Sequence, residues 1–472
     1  MNPVLFLITA AALANPDQCQ PEKSVERPNI VLLLADDLGW TGLGCFGSDL
    51  YETPYLDKLA ASGVKLTNAY SACTVCSPTR ASIMTGMYPA RLRLTDFIAG
   101  QNRPFAKMQI PKWTKHLESR HTTIAEALRA VGYRTGHIGK WHLSARGVAT
   151  RVTQPTDHGF DVSYSKPAGT KGYILKQGSF SESGSNYLTD AFTDKACQFI
   201  DESKSNPFFL YFAYNVPHTP IQGRKDLVEY FQKKVDRSAT HRNPTYAAMV
   251  ASLDESVGRV LAQLKKNNLT EKTVIVFTSD NGGLTQRYGK HDGFTENLPL
   301  RRGKGSAYEG GVRVPAIVRW PGVTKAGQVC DEPIMTTDYF PTILEMAAAQ
   351  PESTASIDGR SIAPLLKDVN AELDRNLYWH YPHYHAGGDG PYSAVRSDNF
   401  RLIEFHEDSS IRLYDLNTDI GEQTDLATRM SDKATQLRSD LHRWRKSVQA
   451  QMPTKNPNHD PKRSTQVVRK AK

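Results

Sequence analysis

The segment CTVCSPTRASIMTG contains the residues whose types and spacing most directly suggest chemistry. Its two cysteines, Cys73 and Cys76, could form a redox pair, half of a zinc site, a disulfide or a reactive thiol. Pro78 and Arg80 have no role in a thioredoxin-type pair, and a second pair of zinc ligands at suitable spacing is missing. Proline in the first turn and Gly86 after the last predict a helix that begins just after Cys76. Its N-terminus would attract an anion that Arg80 could bind, and a Cys73–Cys76 disulfide stays open.

Acidic and amide side chains follow two apolar runs at the point where each run ends. Asp36 and Asp37 end NIVLLLADD, and Asp280 and Asn281 follow TVIVFTS. Each pair alone is typical of a turn or a helix cap. Together, three carboxylates and one amide suit a hard cation such as Ca²⁺ or Mg²⁺, which would also relieve repulsion among the carboxylates.

Basic residues follow two further apolar runs. Lys140 and His142 come after YRTGHIG, and His218 comes after PFFLYFAYNVP. In open α/β sheets, ligands bind beyond the carboxyl ends of the strands. If the four runs are strands of one sheet, they deliver oxygen ligands, imidazoles and an ammonium group to one rim.

The four runs are too apolar for half-exposed strands and suit a sheet covered by helices on both faces. Helix signals lie between them. Thr53-Pro54 precedes one helix, and Thr123 with Glu126 forms a capping box before another. Apolar residues from Tyr246 to Leu264 recur at helical spacing. The pattern predicts an α/β protein.

The chain of 472 residues opens with an apolar run from Val4 to Ala14. This run is too short to span a bilayer and is typical of a signal peptide, residues 1–14, with a mature start near Asn15. A buried N-terminal strand is the alternative, since Lys and Arg are missing from its start. We therefore expect export to the periplasm or the extracellular space.

The net charge of +9 is concentrated partly in the tail. Residues 451–472 are rich in Pro and Asn, with six Lys and Arg against one Asp, and are predicted to be disordered. No nucleic-acid motif, no internal repeat and no apolar run of membrane-spanning length is present, so neither nucleic acid nor a membrane span is expected. Six cysteines in a chain this long are too few for a disulfide scaffold; which of Cys19, Cys45, Cys73, Cys197 and Cys330 pair stays open.

Cys76-Ser77-Pro78-Thr79-Arg80 matches the C-x-P-x-R core motif of the type I sulfatases, and Thr85-Gly86 continues the pattern. The resemblance extends from RPNIVLLLADDLGW at Arg27 to SAVRSDNFRLI near residue 400. GKWHL, PHTP, FTSDNGG and LRRGKGSAYEGGVRVP follow in the family's order. The chain is thus identified as a member of the formylglycine-dependent sulfatases, in the alkaline phosphatase-like superfamily.

The resemblance implies a nucleophile and a metal. Cys76 would be oxidised by a formylglycine-generating enzyme to formylglycine, whose hydrated aldehyde attacks sulfur. Asp36, Asp37, Asp280 and Asn281 would hold one Ca²⁺, with a formylglycine oxygen at position 76 in its shell.

It also implies roles for the basic residues. Arg80 would orient the diol, and His142 would be the base that collapses the covalent sulfate intermediate. Lys140, His218 and Lys304 would bind the sulfate oxygens, and His218 or Lys304 would protonate the leaving oxygen.

The resemblance implies a large, mostly parallel mixed sheet between helices, in a catalytic domain spanning 15–365. A small domain, 366–450, would follow, with a four-stranded antiparallel sheet and a helix. Its run YWHYPHYHAGGDGPY carries His380, His383 and His385. A metal tract is one alternative; we expect instead that these histidines bind a sugar.

We therefore expect hydrolysis of sulfate esters, on a sulfated saccharide or polysaccharide fragment and with exo action. A general arylsulfatase is the nearest alternative. A phosphatase or phosphodiesterase would need a Ser or Thr nucleophile and more metal ligands, and a non-catalytic glycan-binding relative should lack a metal carboxylate. Selectivity is assigned to three loops, at 97–113, 166–187 and 381–392.

Overall fold

The computed structural model describes residues 27–144, 153–166, 170, 172–175, 184–286, 293–350 and 357–468. The expected signal peptide, Asn15 and Cys19 lie outside these residues. The strands, in chain order, are β1 Asn29–Ala35, β2 Val64–Leu66, β3 Ala69–Tyr70, β4 Met108–Gln109, β5 Arg134–Gly139, β6 Val162–Tyr164, β7 Phe208–Ala213, β8 Thr273–Ser279, β9 Ala316–Arg319, β10 Gln328–Cys330, β11 Ile334–Met335, β12 Leu377–Tyr381, β13 Tyr392–Ser397, β14 Phe400–Phe405, β15 Ile411–Asp415 and β16 Thr454–Lys455.

The helices fall mainly between the strands of the large sheet. They are α1 Pro54–Ala61, α2 Cys76–Thr85, α3 Pro89–Leu92, α4 Ile124–Ala130, α5 Leu188–Ser203, α6 Lys225–Gln232, α7 Pro244–Lys266, α8 Glu309–Val312, α9 Tyr339–Met346, α10 Ala363–Lys367 and α11 Ser431–Ser447.

Eight strands form one mixed sheet in the order β10-β2-β9-β8-β1-β7-β5-β6. β1 pairs in parallel with both β7 and β8, and β5 pairs in parallel with β7, whereas β9 is antiparallel to β8. The predicted strands β1, β5, β7 and β8 are confirmed. Because the four run in the same direction, their carboxyl ends share one edge of the sheet, which is the edge that positions the polar residues.

The sheet is buried on both faces, which explains its continuous apolar runs. Along β1, Val31 and Leu33 pack in a core with residues of α5 and α7, such as Met249. Leu32, between them, packs on the opposite face with Ile83 of α2. The predicted capping box is present at the start of α4, and the predicted apolar stripe lies along α7.

The small sheet at the C-terminal end is antiparallel, in the order β12-β13-β14-β15, as predicted. The buried residues of α11, Leu437, Leu441 and Trp444, pack on it. The same core contains Tyr70 and Val75 from the segment before α2, so the small sheet packs directly beside the start of that helix.

The prediction of a disordered tail is wrong for its described part. Thr454 and Lys455 form β16, which pairs with β4 at Met108 and Gln109. Asn456 donates hydrogen bonds to the carbonyls of Pro104 and Ala106, at 2.8 and 2.7 Å. A composition rich in Pro, Asn and Lys does not reveal such pairing, because it is made with a loop about 350 residues earlier.

No helix within the described ranges is both long and apolar enough to cross a membrane.

Five cysteines lie among the described residues, and all are free thiols: Cys45, Cys73, Cys76, Cys197 and Cys330. The alternative of a Cys73–Cys76 disulfide is therefore not found.

Replacing Arg401 by methionine should reduce stability strongly. Arg401 is fully buried on β14 and pairs with Glu422 at 2.7 Å while donating to the carbonyl of Ala307 at 2.7 Å. Removing the cation leaves a buried carboxylate without its partner, which costs about 3–5 kcal/mol of unfolding free energy. Denaturant unfolding measures this loss. Arg412→Met, at the exposed Arg412–Asp425 pair, is the control and should cost less than about 1 kcal/mol; similar losses for both variants would contradict the prediction.

Candidate active site

The predicted metal carboxylates meet at the shared edge of the sheet. Asp36 and Asp37 follow β1 directly, and Asp280 and Asn281 follow β8, with Ala35 of β1 in register with Ser279 of β8. The Asp37 amide donates to Asp280 Oδ1 at 3.1 Å, and Asn281 Nδ2 donates to Asp37 Oδ1 at 2.8 Å. The structure therefore brings all four side chains together in a buried cluster.

Two cations surround this cluster from the side of α2 and β5. Arg80, one turn into α2 and fully buried, places Nε at 2.9 Å and Nη2 at 2.7 Å from Asp280 Oδ2, and Nη2 lies 3.5 Å from Asp36. Lys140, directly after β5, places Nζ at 2.7 Å from Asp36 Oδ2. Arg80 Nη1 also donates to the Lys140 carbonyl at 2.7 Å, which ties the helix to the end of β5.

Cys76 is the first residue of α2 and is buried beside Asp37 and Lys304. Its Sγ lies 3.9 Å from Asp37 Oδ1 and 3.6 Å from Lys304 Nζ. Lys304 Nζ in turn lies 2.7 Å from Asp37. Gly305, next to the lysine, has φ of 84°, and a Cβ there would overlap the ring of His385, so only glycine lets the two segments pack this closely.

The neighbouring charges in the cluster shift the pKa values of its three carboxyl groups. Burial acts to raise the pKa of Asp36 and Asp37, but Lys140 beside Asp36 and Lys304 beside Asp37 outweigh it and hold both pKa values below their usual range. Burial and the charge of Asp36 raise the pKa of Asp280 to about 7. The three carboxyl groups thus lie close together, and the neighbouring Lys and Arg side chains balance their negative charge.

Burial raises the pKa of the Cys76 thiol to about 12, although Lys140 and Lys304 act to lower it. The encoded thiol is therefore protonated at neutral pH and is a weak nucleophile, since the thiolate is the reactive form. Cys73 is also buried, and burial raises the pKa of its thiol too. Neither cysteine has the low pKa of a redox-active thiol.

Each of the two candidate histidines has one ring nitrogen bound to a backbone carbonyl. His142 Nε2 lies 2.6 Å from the carbonyl of Ile98, which can only accept, so Nε2 carries the proton and Nδ1 is free. His218 Nδ1 likewise donates to the Thr219 carbonyl at 2.7 Å, and its Nε2 lies 3.7 Å from Asp37. Burial lowers the pKa of both rings.

The backbone is strained at two of these residues. Asp37 and His142 have φ of 65° and 57°, a region that non-glycine residues seldom adopt. Strained backbone persists where the surroundings enforce it, and it occurs often at functional sites.

A cavity of about 700 Å³ opens onto the cluster. Asp36, Cys76, Lys140, His142, His218 and Lys304 all line it. The rest of its wall comes partly from the three loops predicted to set selectivity: Phe97 to Gln101 from the first, Lys166 and Tyr173 from the second, and His385 from the third.

The three histidines of the aromatic run do not share one role. His385 lines the cavity and packs edge-on against Phe97. His380 is buried between Ser393 and the Gln451 carbonyl, at 2.8 and 3.0 Å, and does not line the cavity. His383 is buried against Thr95, at 2.8 Å. The structure thus places His380 and His383 in the core, away from the cavity wall, and only His385 of the three histidines lines that wall.

Asn215 and Tyr173 of the cavity wall were not singled out as site residues in the sequence, although Tyr173 lies in a predicted selectivity loop. Asn215 lies after β7, three residues before His218, and the rule that found His218 would have found it too. Tyr173 donates its hydroxyl to the carbonyl of His218 at 2.8 Å, and no sequence signal marks it.

Four side chains offer ligand atoms close enough for one cation. Atoms of Asp36, Asp37, Cys76 and His218 all lie within 4.8 Å of one another. Asn281 adds a buried Oδ1 that has no hydrogen-bond partner among the described residues. An acceptor without a partner in a cluster of carboxylates suits a hard cation.

Comparison with known proteins identifies the family. A sulfatase family model matches residues 28–349, and a model of the C-terminal region of N-sulphoglucosamine sulphohydrolase matches residues 303–451. A sulfatase of Formosa agariphila is 30% identical, over 93% of this chain and 92% of that protein. Human N-acetylgalactosamine-6-sulfatase is 32% identical, over 75% of this chain and 68% of that protein.

Comparison of the fold with solved structures leads to the same family. The crystal structure of Ps i-CgsB superposes with a TM-score of 0.75 at 28% identity, covering 92% of this chain and 94% of that one. The same protein in complex with k-i-k-neocarrahexaose gives a TM-score of 0.74. Sequence motifs, site geometry and relatives coincide, so the chain belongs to the sulfatase family and is an enzyme that hydrolyses sulfate esters.

Proposed function

We propose that this sulfatase removes sulfate from a saccharide, using a formylglycine made from Cys76 and a bound Ca²⁺. One observation carries the proposal: Cys76, Asp36, Lys140 and Lys304 line a cavity large enough for a sugar, and the buried side chains of Asp37 and Arg80 contact them, with Asp280 paired to Arg80.

The unmodified thiol of Cys76 is a poor candidate for the nucleophile. A thiolate that attacked sulfur would leave a stable adduct, and burial keeps the Cys76 thiol protonated. A hydrated aldehyde has two hydroxyl groups on one carbon. One gives up its proton and its oxygen attacks sulfur, while the bond from sulfur to the sugar oxygen breaks and that oxygen takes a proton. The second then loses its proton, the carbon–oxygen bond to the sulfate breaks, and the aldehyde and free sulfate result. Water then adds to the aldehyde and restores the two hydroxyl groups.

Asp36, Asp37, Asp280 and Asn281 are proposed to hold the Ca²⁺, with the oxygen of the modified residue 76. The unpartnered Oδ1 of Asn281, the close approach of Asp36 and Asp37, and the contact of Asp280 with the Asp37 amide support this set. When bound, the cation would polarise the sulfate oxygens as a Lewis acid.

The basic residues are proposed to bind the sulfate and move protons. Lys140, His218 and Lys304 line the cavity around Cys76; the two lysines offer donors to the sulfate oxygens, and His218 does so when its Nε2 is protonated. His218 or Lys304 would give the leaving oxygen its proton. His142 keeps its Nε2 proton on the Ile98 carbonyl, so its free Nδ1 can take the proton of the second hydroxyl.

The cavity supports a sugar substrate more than an aryl sulfate. A sugar alkoxide is a poor leaving group that needs an acid and binding energy from the rest of the substrate, whereas a phenolate leaves readily. The wall supplies aromatic faces and polar groups from Phe97, Tyr173, Asn215 and His385, which suit a pyranose ring. The complex of Ps i-CgsB with k-i-k-neocarrahexaose supports the same substrate class.

A panel of defined sulfated saccharides beside an aryl sulfate tests this function. We expect at least one saccharide to be hydrolysed with a kcat/KM well above that of the aryl sulfate. Turnover of aryl sulfates alone would favour a general arylsulfatase.

His385→Ala should lower kcat/KM on a saccharide by roughly tenfold more than on an aryl sulfate, because we expect the sugar, and not the aryl group, to contact His385. His380→Ala is the matched control. Its ring lies in the core, so it should lower the melting temperature and change both substrates equally. Equal effects of His385→Ala on the two substrates would reject a sugar contact by His385.

The proposal includes export and maturation. The apolar segment Val4 to Ala14 supports export, and the oxidation of Cys76 requires a separate formylglycine-generating enzyme. Protein made in a host with that enzyme should be active, and protein made without it should not.

A further inference from the structure

A second cavity, of about 250 Å³, lies beside the catalytic cavity. Gln101 lines both cavities. Two chain segments pass from one cavity to the other: Arg103, two residues after Gln101, lines the second cavity, and so does Tyr384, the neighbour of His385. The two cavities are therefore adjacent, and a ligand longer than one sugar could occupy both.

The lining of this second cavity is suited to a sugar. Five of its side chains are amides: Gln101, Asn102, Gln109, Asn456 and Asn458. Amides both donate and accept hydrogen bonds, as sugar hydroxyls require, and all of these except Asn456 can offer donors to a ligand. The ring of Tyr384 adds an aromatic surface. Arg103 is the only charged side chain among the described residues that line it.

Arg103 has no acidic partner within the described part of the chain. It is half-buried, it donates to Gln101 Oε1 at 3.3 Å, and its guanidinium lies 5.6 Å from the centre of the Tyr384 ring. Its Nε is buried without a hydrogen-bond partner. Burial lowers the pKa of Arg103, and no nearby carboxylate offsets this. A guanidinium partly withdrawn from water without a counter-charge costs free energy that a bound anion would offset.

The tail fixes this part of the wall. Asn456 donates both amide hydrogens to the carbonyls of Pro104 and Ala106. Farther along, Arg463 stacks on the ring of Phe105. These contacts hold the segment that carries Arg103, so the cavity is built in advance of binding.

We propose that the second cavity binds the sugar next to the one that loses its sulfate, and that Arg103 binds an anionic group on that neighbouring sugar. The proposal rests on the saccharide sulfatase function proposed above and makes its substrate class more specific. The preferred substrate is an oligosaccharide with anionic groups on two adjacent sugars. A sulfate ester and a uronate carboxylate both present the paired oxygens that a guanidinium binds.

The test uses three disaccharides with the same target sulfate and a neighbouring sugar that is neutral, sulfated or a uronate. The intact, matured enzyme should prefer at least one charged neighbour, and which one shows whether sulfate or carboxylate is bound. Arg103→Gln should raise KM for that substrate by roughly tenfold to a hundredfold, with kcat little changed, because a hydrogen bond to a charged group is lost. KM for the neutral disaccharide should change much less.

Two further variants distinguish anion binding by Arg103 from a general structural effect of its replacement. Arg103→Lys keeps the charge and should recover part of the loss. Lys107→Gln removes a positive charge from an exposed position on the same segment, outside both cavities, and should change none of the three KM values. A loss that is equal on all three disaccharides, or a wild-type enzyme indifferent to the neighbour's charge, would overturn the subsite. A wild-type enzyme that hydrolyses aryl sulfates but no saccharide would instead overturn the proposed function, and the subsite with it.

Discussion

Replacing Cys76 with alanine should lower sulfate release by roughly 10⁴-fold or more, because the variant has no side chain from which the nucleophile can be made. Cys76 is positioned for this role as the first residue of α2, with its Sγ 3.9 Å from Asp37 and 3.6 Å from Lys304. Steady-state kinetics on the best saccharide of the panel measures the loss.

Cys73→Ala is the matched control. Cys73 is an equally buried free thiol three residues away that does not line the cavity, so this variant should keep much of the activity. Peptide mass spectrometry of the active enzyme should show an aldehyde in place of the thiol at residue 76 and an unchanged Cys73. Fully active protein in which Cys76 is still a thiol would reject the formylglycine mechanism.

Asp36→Ala and Asp280→Asn should each lower kcat by roughly 10³-fold, because they remove proposed cation ligands where charge develops on the transferring group. Both carboxylates are buried in the cluster and in contact with Arg80. The second variant keeps the shape of the side chain, so its effect reports the lost charge.

The melting temperature reports Ca²⁺ binding independently of catalytic activity. Ca²⁺ should raise the melting temperature of the wild-type protein by binding the folded state, and this rise should shrink in both variants. Asp432→Asn, at an exposed position on α11, is the control and should keep the full rise. Slow inactivation by a chelator should be reversed best by Ca²⁺, and restoration by Zn²⁺ alone would contradict an oxygen-rich site.

Much of the site could be predicted from the sequence because its signals are local. β1 and β8 are continuous apolar runs, which only a sheet covered on both faces accommodates, and Asp36 and Asp280 follow these runs directly. Parallel strands place their carboxyl ends at one edge, so the meeting of these carboxylates follows from the strand assignment alone. The motif from Cys76 to Arg80 likewise lies at the start of a single helix.

Only the tertiary structure decided which of the remaining residues face substrate. His380 and His385 lie five residues apart in one aromatic run, yet the first is covered by the carbonyl of Gln451 and the second reaches the cavity beside Gly305. The tail that covers His380 pairs with a two-residue strand about 350 positions earlier. Such contacts depend on the packing of distant segments, and neither periodicity nor composition encodes them. The sequence by itself thus determined the chemistry at the strand ends, and the packing of loops and tail decided the shape of the cavity around it.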